Sequence, residues 1–360
     1  MSSPYFNLRV VDITRETSDA ITLHFEHPEK KHITYKPGQF LTLILPFEGK
    51  EVRRSYSLSS TPHEAPRLAV TIKRVAGGVV SGYLLDHVKV GDEIKVMEPL
   101  GNFCLTCAPD NQRNIILFGA GSGITPLMSI LKAVLREEPG SKVTLLYGNR
   151  DEDSVIFKQQ LEPLQAQHEG RFRVEYIYSQ PKYHCEYRGR MNQSIIIKIL
   201  ERLQLAKTTN VLYFMCGPEG MMDEVRKALN VLHVPAERIF RESFVSNKLT
   251  EQQQDDHHGA VSATDEDEIV TQTVTIIYEG AEYSVVVEPD QTILEAGLEQ
   301  DIDLPYSCQA GLCTACRGKC LSGKVHLDER EGLSDAELDE GYVLNCVGHP
   351  LTGNVVIEIG

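Results

Sequence analysis

The sequence predicts a multidomain protein that contains, in order, an antiparallel β-barrel, a doubly wound α/β domain with a parallel sheet, and a small α+β domain. Three observations lead to this prediction. The chain has 360 residues, which is more than one hydrophobic core usually organises. Its apolar pattern changes from short strands to strand–helix alternation near residue 108. A polar segment with the composition of a linker then separates residues 271–360 from the rest.

Residues 1–108 predict the barrel. They contain short alternating or β-branched runs, separated at short intervals by Pro, Gly and charged turns. This pattern is typical of a small antiparallel barrel. The runs are NLRVVDITR, AITLHFEH, QFLTLILPF, RLAVTIKRV and DEIKVMEPL.

Residues 109–247 predict the doubly wound domain. Apolar strands alternate there with helical patterns, and such alternation favours a parallel sheet covered on both faces. The strands are NIILFGAG, KVTLLYGNR, RFRVEYIYS and NVLYFMCGP. The helical patterns cover residues 126–138, 152–168, 191–204 and 219–232.

Residues 248–270 predict an acidic linker, with 7 acidic residues, 1 basic residue and few large apolar side chains. Residues 271–360 carry 16 acidic and 4 basic residues, whereas the first 247 residues are close to neutral. The net charge of −15 disfavours a nucleic-acid partner. The acidic end favours a charge-steered contact with another protein, although ordinary solvated surface charge explains it equally well.

The N-terminal sequence MSSPYFNLRV has no basic segment followed by an apolar one, so no signal peptide is expected. No apolar run approaches the roughly 18–20 residues that a membrane helix needs. These features predict a cytoplasmic protein. Nine cysteines in such a chain favour metal binding or redox chemistry over a disulfide framework.

A cysteine-rich loop in the last domain gives the strongest motif. Its spacing, C-x4-C-x2-C followed 29 residues later by a fourth cysteine, matches the plant-type [2Fe–2S] arrangement. The alternative is a structural zinc site, which usually pairs two short C-x2–4-C knuckles, and only one such pair is present. The sequence therefore predicts an iron–sulfur cluster. Its ligands are Cys308, Cys313, Cys316 and Cys346.

The segment PYSCQAGLCTACRGKC, with LNCVGHP later, resembles the ferredoxin module fused to the flavin reductases of bacterial oxygenases. The resemblance implies a ferredoxin-like β-grasp fold over residues 271–360. Gln309 stands where this family often has Arg, a departure that affects local charge and not ligation.

Residues 53–60, RRSYSLSS, carry groups that suit a flavin site, although taken alone this pattern is more typical of a half-buried strand at a sheet edge. Arg54 can neutralise a pyrophosphate, Tyr56 offers a ring for stacking, and a Ser57 hydroxyl can bond the flavin ring. The pattern Arg54-Ser55-Tyr56-Ser57 resembles the flavin-binding signature of the ferredoxin–NADP reductase family.

A second phosphate site is expected where glycines lead into a helix at Gly77-Gly78-Val79-Val80-Ser81. Unpaired amides and the helix dipole favour an anion at such a terminus. The resemblance implies that Gly78, Val80 and Ser81 hold the flavin pyrophosphate. FAD is favoured, and FMN, which some relatives use, is the alternative.

The strand NIILF runs into a glycine turn and then a helix, which predicts a dinucleotide pyrophosphate site. Its third glycine, Gly123, falls one position earlier than in the G-x-G-x-x-G fingerprint. The form Gly119-Ala-Gly121-Ser-Gly123-Ile-Thr125-Pro nevertheless resembles the reductase family. The resemblance implies that Thr125 lies near the nicotinamide and flavin rings.

The second strand of this domain ends in YGNRDED, where dinucleotide sites choose between NAD and NADP. An arginine here accommodates the 2′-phosphate of NADP, and an acid binds the 2′-hydroxyl of NAD. Arg150 favours NADPH and Asp151 favours NADH. NADPH is the prediction, and NADH stays open.

The fourth strand ends in Met215-Cys216-Gly217-Pro218. The resemblance implies that Cys216 and Gly217 lie against the nicotinamide; the alternative is a structural buried cysteine. It also implies that Glu242 and Phe244, the family's E-x-F, flank the flavin.

The resemblance implies an NAD(P)H-dependent oxidoreductase whose cofactors perform the chemistry. Hydride would pass from NADPH to FAD, and single electrons from FAD through the cluster to a terminal oxygenase or hydroxylase protein. Two alternatives stay open: a redox sensor that signals through its cluster, and a flavin reductase with a zinc-bound tail.

Overall fold

The computed structural model describes two compact units, residues 5–244 and residues 269–359. Most of the predicted linker, residues 248–268, and the predicted ligand Cys308 lie outside the described residues. The residues described are 5–47, 49–204, 210–244, 269–307, 309, 311, 313–330, 332–333 and 335–359.

The first domain is a six-stranded antiparallel barrel with the strand order β4-β3-β6-β1-β2-β5. The two ends of this order meet at an antiparallel bridge between Leu58 and Val70, next to a hydrogen bond from the Ser59 amide to the Ala69 carbonyl. The sheet therefore closes. The strands are β1 (Tyr5–Thr17), β2 (Ala20–Glu26), β3 (Phe40–Phe47), β4 (Lys50–Ser57), β5 (Leu68–Lys73) and β6 (Glu93–Leu100).

The barrel is filled by the apolar residues that alternate along its strands, such as Leu8 and Val10 in β1 and Leu41 and Leu43 in β3. Helix α1 (Val79–Asp86) places Leu84 in the same core. Complete burial of one large aliphatic side chain stabilises the fold by about 1.5–3 kcal/mol, so this alternation determines which face of each strand points inward.

The second domain has a six-stranded parallel sheet with the order β10-β9-β8-β7-β11-β12. The order reverses between β7 and β11, and ligands of such sheets bind at the carboxyl ends of the strands at this point. The strands are β7 (Asn114–Ala120), β8 (Lys142–Asn149), β9 (Phe172–Tyr178), β10 (Tyr187–Arg188), β11 (Val211–Cys216) and β12 (Ile239–Glu242).

Helices cover both faces of this sheet. One core contains apolar residues of α2 and α3, and the core on the opposite face contains those of α4 and α5. The helices are α2 (Ile124–Glu137), α3 (Lys158–Gln167), α4 (Gln193–Arg202) and α5 (Glu219–Val231).

The helix predicted over residues 152–168 begins later than expected, at Lys158. Phe157, directly before it, has φ +62°, which is a left-handed conformation incompatible with a continuous right-handed helix. Residues 152–154 instead form a separate 3-10 turn. The large Phe157 side chain is buried, so its tertiary contacts compensate for the strained backbone.

The unit 269–359 has a five-stranded mixed sheet with the order β14-β13-β19-β15-β17. Strands β13 and β14 form a hairpin, and β13 pairs in parallel with the last strand, β19. Helix α6 packs its buried residues against this sheet. The elements are β13 (Gln272–Tyr278), β14 (Ala281–Val287), α6 (Ile293–Glu299), β15 (Arg317–Ser322), β16 (Val325–Leu327), α7 (Asp335–Asp339), β17 (Tyr342–Leu344), β18 (Gly348–Pro350) and β19 (Val356–Ile359).

The predicted fold class is confirmed in all three parts: barrel, doubly wound parallel sheet and ferredoxin-like α+β domain. The prediction missed the short outer strands β10 and β12. In the last domain it expected a long loop after the first helix, where the structure has strands β15–β19 and helix α7. Within the described part of the chain, no helix is long and apolar enough to cross a membrane.

A buried ion pair ties the connection between the first two domains to the end of α2. The Glu138 carboxylate is fully buried and contacts the Arg113 guanidinium at 2.5 Å, and Asn111 and Ser141 donate to it at 2.8 and 2.7 Å. Burial alone would raise the pKa of Glu138, but these donors outweigh burial and lower the pKa. The charged carboxylate therefore stabilises the fold.

We expect Glu138→Gln to lower the free energy of unfolding by about 3 kcal/mol, because the substitution leaves a largely buried guanidinium without its counter-charge. Since the folded-state pKa of Glu138 is lowered, its contribution is present above the ordinary carboxyl pKa and is lost as the pH falls below it. Denaturant unfolding at neutral and acidic pH measures both effects. Glu201→Gln, on the exposed surface of α4, is the control; an equal loss there would contradict the assignment.

Candidate functional site

The predicted flavin strand is β4, paired with β3 so that Arg54 lies opposite Leu43 and Tyr56 opposite Leu41. The Arg54 side chain is exposed, and its Nη1 donates to the Arg53 carbonyl at 2.7 Å. Tyr56 packs against the barrel core, and burial raises the pKa of its phenol while Arg54 opposes that shift. Tyr56 therefore stays neutral, as a stacking partner should.

Ser57 ends β4 and is 5% exposed, so its hydroxyl lies inside the barrel wall rather than in solvent. Ser55, two residues earlier on the same side of the strand, is partly buried. Because side chains alternate along β4, the predicted flavin-binding residues lie on two faces of the strand. Ser55 and Ser57 share one face, and Arg54 and Tyr56 share the other.

The predicted pyrophosphate turn lies at the N-terminus of α1. Ser81 is held by two bonds: its Oγ accepts from the Val75 amide at 3.1 Å and donates to the Gly78 carbonyl at 3.4 Å. The amides of the first helical turn have no acceptor within the helix. A Cβ at Gly77 would meet no atom within 4 Å, so the turn is open on that side. This geometry fits a phosphate group.

The predicted nucleotide turn follows β7 as a 3-10 segment, Gly121–Gly123, before α2. Gly121 has φ +54°, and its carbonyl accepts a hydrogen bond from the buried Tyr147 hydroxyl at 3.0 Å. The position that a Cβ would take at Gly121 is 3.7 Å from the Nζ of Lys73. Lys73 ends strand β5 of the barrel, so a barrel ammonium group lies at the turn of the nucleotide domain.

Gly123 brings two turns into backbone contact. A Cβ there would lie 2.1 Å from the Cys216 carbonyl oxygen and 2.8 Å from the Gly217 nitrogen. A Cβ at Gly217 would in turn lie 3.2 Å from the Ala120 nitrogen. The two predicted nucleotide motifs therefore meet where β7 and β11 end, at the reversal of strand order.

Thr125 lies in the first turn of α2 and is 2% exposed. Its hydroxyl donates to the Ser122 carbonyl at 2.8 Å. Thr125 is thereby fixed at the edge of the same glycine turn.

Cys216 is fully buried and pairs in register with Glu242 on the neighbouring parallel strand β12. Burial, with a contribution from the Glu242 carboxylate, raises the pKa of the Cys216 thiol well above its ordinary value. The thiol is therefore neutral. The predicted neighbour Phe244 has an exposed side chain at the end of the unit 5–244.

Cys104 is a residue near this site that the motifs did not identify. Its thiol donates to the Gly101 carbonyl at 3.1 Å, and burial together with Glu242 raises its pKa to about 11. The Glu242 carboxylate thus raises the pKa of two thiols, one from each domain. In the sequence, the only signal for Cys104 is its position directly after the Pro99–Phe103 turn. Cys104 and Glu242 are too far apart along the chain for a local motif to connect them.

The two residues expected to discriminate between NADPH and NADH differ in exposure and in hydrogen bonding. Asp151 caps a 3-10 turn: its carboxylate accepts from the Ser154 amide at 3.0 Å, and its side chain is 15% exposed. The Arg150 side chain is 65% exposed, with its Nε 3.5 Å from the Asp151 carboxylate. The Asp151 carboxylate therefore already has a hydrogen-bond partner within the fold, whereas most of the Arg150 side chain is exposed to solvent.

The described part of the cysteine loop is folded closely against its neighbours. The Gly311 carbonyl accepts from the Gly332 amide at 2.8 Å, and the Cys316 carbonyl accepts from the Asn345 amide and side chain at 3.2 and 2.9 Å. These bonds bring Cys316 next to the segment that carries Cys346. Both cysteines belong to the core of this unit.

The thiols available there have the chemistry that an iron–sulfur cluster needs. Cys313, Cys316 and Cys346 are buried and form no disulfide. Cys308 is outside the described residues, and in the described part of the chain no three His, Cys, Asp or Glu side chains are grouped as metal ligands. Cys320 lies in strand β15 and donates to the Ser322 carbonyl at 3.2 Å, as expected of a structural cysteine.

Models of three protein families match the chain. An oxidoreductase FAD-binding domain matches residues 7–104, an oxidoreductase NAD-binding domain matches residues 117–227, and a 2Fe-2S iron-sulfur cluster binding domain matches residues 276–351. The three matches confirm the predicted cofactor classes, which are FAD, a nicotinamide nucleotide and a [2Fe–2S] cluster.

The chain is similar over nearly its whole length to curated proteins of oxygenase systems. It is 34% identical to a subunit of the 1,2-phenylacetyl-CoA epoxidase of Escherichia coli K12, over 98% of this chain and 97% of that protein. It is 35% identical to the ferredoxin reductase component of 3-ketosteroid-9-alpha-monooxygenase of Mycobacterium tuberculosis, over 97% of this chain and 94% of that protein.

Solved structures share the fold. One is phthalate dioxygenase reductase, with a TM-score of 0.60 and 21% identity over 99% of this chain and 100% of that chain. Another is an intact type IV self-sufficient cytochrome P450 monooxygenase, with a TM-score of 0.71 and 20% identity over 99% of this chain and 41% of that one. At these identities the likeness supports the fold alone.

We expect Gly123→Ala to abolish flavin reduction by nicotinamide nucleotides, since the new methyl group would push the Cys216–Gly217 backbone away from the glycine turn. Stopped-flow absorbance of the flavin under anaerobic conditions measures this reduction. Gly220→Ala in α5 is the matched control, because a Cβ there meets no atom within 4 Å. Normal flavin reduction in the Gly123 variant would show that the close contact is not needed.

Proposed function

The chain belongs to the family of FAD- and NAD-binding reductases that carry a C-terminal [2Fe–2S] ferredoxin domain, and we propose that it transfers electrons from NADPH to an oxygenase partner. The observation that carries this proposal is the position of Lys73. Its ammonium group, from the FAD-binding barrel, lies at the Gly121 turn of the nucleotide-binding domain. The FAD-binding barrel therefore contributes a cation to the predicted nucleotide turn, and both domains belong to one compact unit.

FAD, when bound, supplies the conversion of a two-electron hydride into single electrons, and the protein supplies orientation. Tyr56 offers a neutral ring for stacking, and Ser57 offers a hydroxyl at the adjoining edge of the barrel. Thr125 and Cys216 would border the nicotinamide, and Glu242 pairs with Cys216 on the neighbouring strand. Phe244 is proposed to cover the outer face of the flavin.

The phosphate groups are proposed to bind at two glycine-rich helix starts. Gly78, Val80 and Ser81 at α1, with Arg54, would hold the flavin pyrophosphate through backbone amides and one guanidinium. Gly121 and Gly123 at α2, with Gly217 opposite, would hold that of the nucleotide. The backbone contact leaves no room for a side chain at Gly123, which explains glycine at that position.

The donor is proposed to be NADPH. Arg150 presents an exposed guanidinium at the end of β8, where a 2′-phosphate would lie. Asp151, the residue that would favour NADH, uses its carboxylate as a cap for the next turn.

The cluster is proposed to bind Cys308, Cys313, Cys316 and Cys346 in the C-terminal domain. Residues 248–270 would link this domain to the reductase unit, with domain limits of 1–108, 109–247 and 271–360. The three matched family segments lie inside these limits, which supports them.

The acceptor is proposed to be an oxygenase of the phenylacetyl-CoA epoxidase type, because a relative covering almost the whole chain is a subunit of that enzyme. The second candidate is a 3-ketosteroid-9-alpha-monooxygenase type of acceptor, favoured by a relative of similar identity. Mixing reduced protein with each purified oxygenase component and following reoxidation of the cluster tests both.

Arg150→Ala should lower kcat/KM for NADPH by about tenfold or more and leave kcat/KM for NADH within about twofold, because it removes a charge-assisted contact to the 2′-phosphate. Steady-state reduction of an artificial acceptor with each nucleotide measures the ratio. Arg136→Ala, on the exposed surface of α2, is the control for removing an arginine charge away from the proposed 2′-phosphate site. An equal fall with both nucleotides would exclude a role in choosing NADPH.

Cys316→Ser should abolish the visible cluster absorption and the reduction of cytochrome c, while flavin reduction by NADPH continues. The reason is that a cluster lacking one thiolate is lost or weakened, whereas the reductase unit is a separate compact unit. Cys320→Ser is the matched control and should keep both signals. A wild-type protein with no cluster absorption would favour the zinc alternative, and one with a cluster but no turnover would favour the sensor.

A further inference from the structure

Helix α2 makes a buried hydrogen bond to the barrel. The Ser129 hydroxyl donates to the Ser60 carbonyl at 2.5 Å, and these residues are 0% and 3% exposed. The hydroxyl of Ser60 is itself held, because it lies 2.8 Å from the Tyr35 hydroxyl and accepts from the Ala69 amide at 2.9 Å. The carbonyl that Ser129 contacts is therefore fixed in the barrel wall.

The two ends of this bond lie close in sequence to the proposed reacting groups. Ser60 follows the flavin strand by three residues, since β4 ends at Ser57. Ser129 lies four residues after Thr125, so the two share one face of α2 a single turn apart. The bond therefore connects the segment that carries the flavin contact to the helix that carries the nicotinamide contact.

The same helix face makes a second link one turn further on. Lys132 Nζ lies 2.6 and 2.9 Å from the Glu64 carboxylate oxygens, and its side chain is 17% exposed. Glu64 belongs to the 3-10 turn at residues 62–64, shortly after Ser60. Two successive turns of α2 are thus bonded to residues 60–64 of the barrel, which limits sliding of the helix along it.

We propose that Ser129 is a positioning residue for hydride transfer, setting the spacing between the flavin site and the nicotinamide site through its bond to Ser60. The proposal rests on the proposed function. Hydride transfer requires the reacting atoms to be about 3–3.5 Å apart, and a misplacement of about 1 Å can slow a reaction on the order of a hundredfold. Without the bond, α2 is held less firmly against the barrel, so the spacing between Thr125 and the flavin strand varies. The glycine turn keeps its separate backbone contact with the Cys216–Gly217 turn, so nucleotide binding is retained.

The test compares Ser129→Ala with Ser141→Ala in the holoenzyme. Ser141 is also fully buried, and its hydroxyl also makes a short hydrogen bond, to Glu138, besides weaker contacts with Asn111 and Arg113. It lies beyond the end of α2 that is far from the site. Anaerobic stopped-flow mixing with NADPH gives the limiting rate of flavin reduction and the nucleotide Kd. The long-wavelength charge-transfer absorption, which depends on the overlap of the two rings, is recorded in the same experiment.

Ser129→Ala should lower the limiting rate about tenfold or more, weaken the charge-transfer absorption and leave the Kd within about twofold. Ser141→Ala should lower the thermal midpoint but keep the rate and the absorption within about twofold of wild type. Ser129→Cys, which keeps the side-chain shape with a somewhat larger atom and a weaker donor, should have an intermediate rate and replaces the alanine variant if that variant does not fold.

A rate and absorption for Ser129→Ala within about twofold of wild type would overturn the inference, as would equal losses in Ser141→Ala. A wild-type flavin that neither NADPH nor NADH reduces would instead overturn the proposed function, so the two failures are distinguishable.

Discussion

The backbone contact between the turn at Gly121–Gly123 and the turn at Cys216–Gly217 organises the reductase unit. Gly123 cannot carry even a methyl group without moving the other turn, and a methyl group at Gly217 would crowd Ala120. The absence of side chains at these glycines lets the two turns meet where the paired strands β7 and β11 end, at the reversal of strand order. Because α2 begins directly after Gly123, the same contact fixes where this helix starts.

The two units differ in how they use burial and charge. In the reductase unit, burial raises the pKa values of Tyr56 and Cys216, so the groups proposed to border the rings are neutral. Charge appears there mainly as compensated pairs, such as Arg113 with Glu138. The C-terminal domain carries a large excess of acidic residues instead. The acidic excess therefore lies in the C-terminal domain, while the reductase unit is close to neutral.

Local pattern predicted most of the fold because strands and helices of this chain bury their apolar faces in the periods that the sequence displays. The exceptions were elements decided by neighbours. Strand β10 has two residues and exists only because it pairs with β9. Helix α3 starts later than its pattern suggests, at Lys158, since burial of Phe157 holds that residue in a left-handed conformation.

The sequence by itself determined the cofactor classes, because each cofactor is held largely by residues that are close together in the chain. These residues are the spaced cysteines, the R-x-Y-S strand and the glycine turn. Tertiary structure decided how those local sites face one another. The bond between Ser129 and Ser60 joins residues 69 positions apart, and Cys216 meets Glu242 only by pairing of strands. No motif encodes such contacts, since they depend on how separately patterned elements pack.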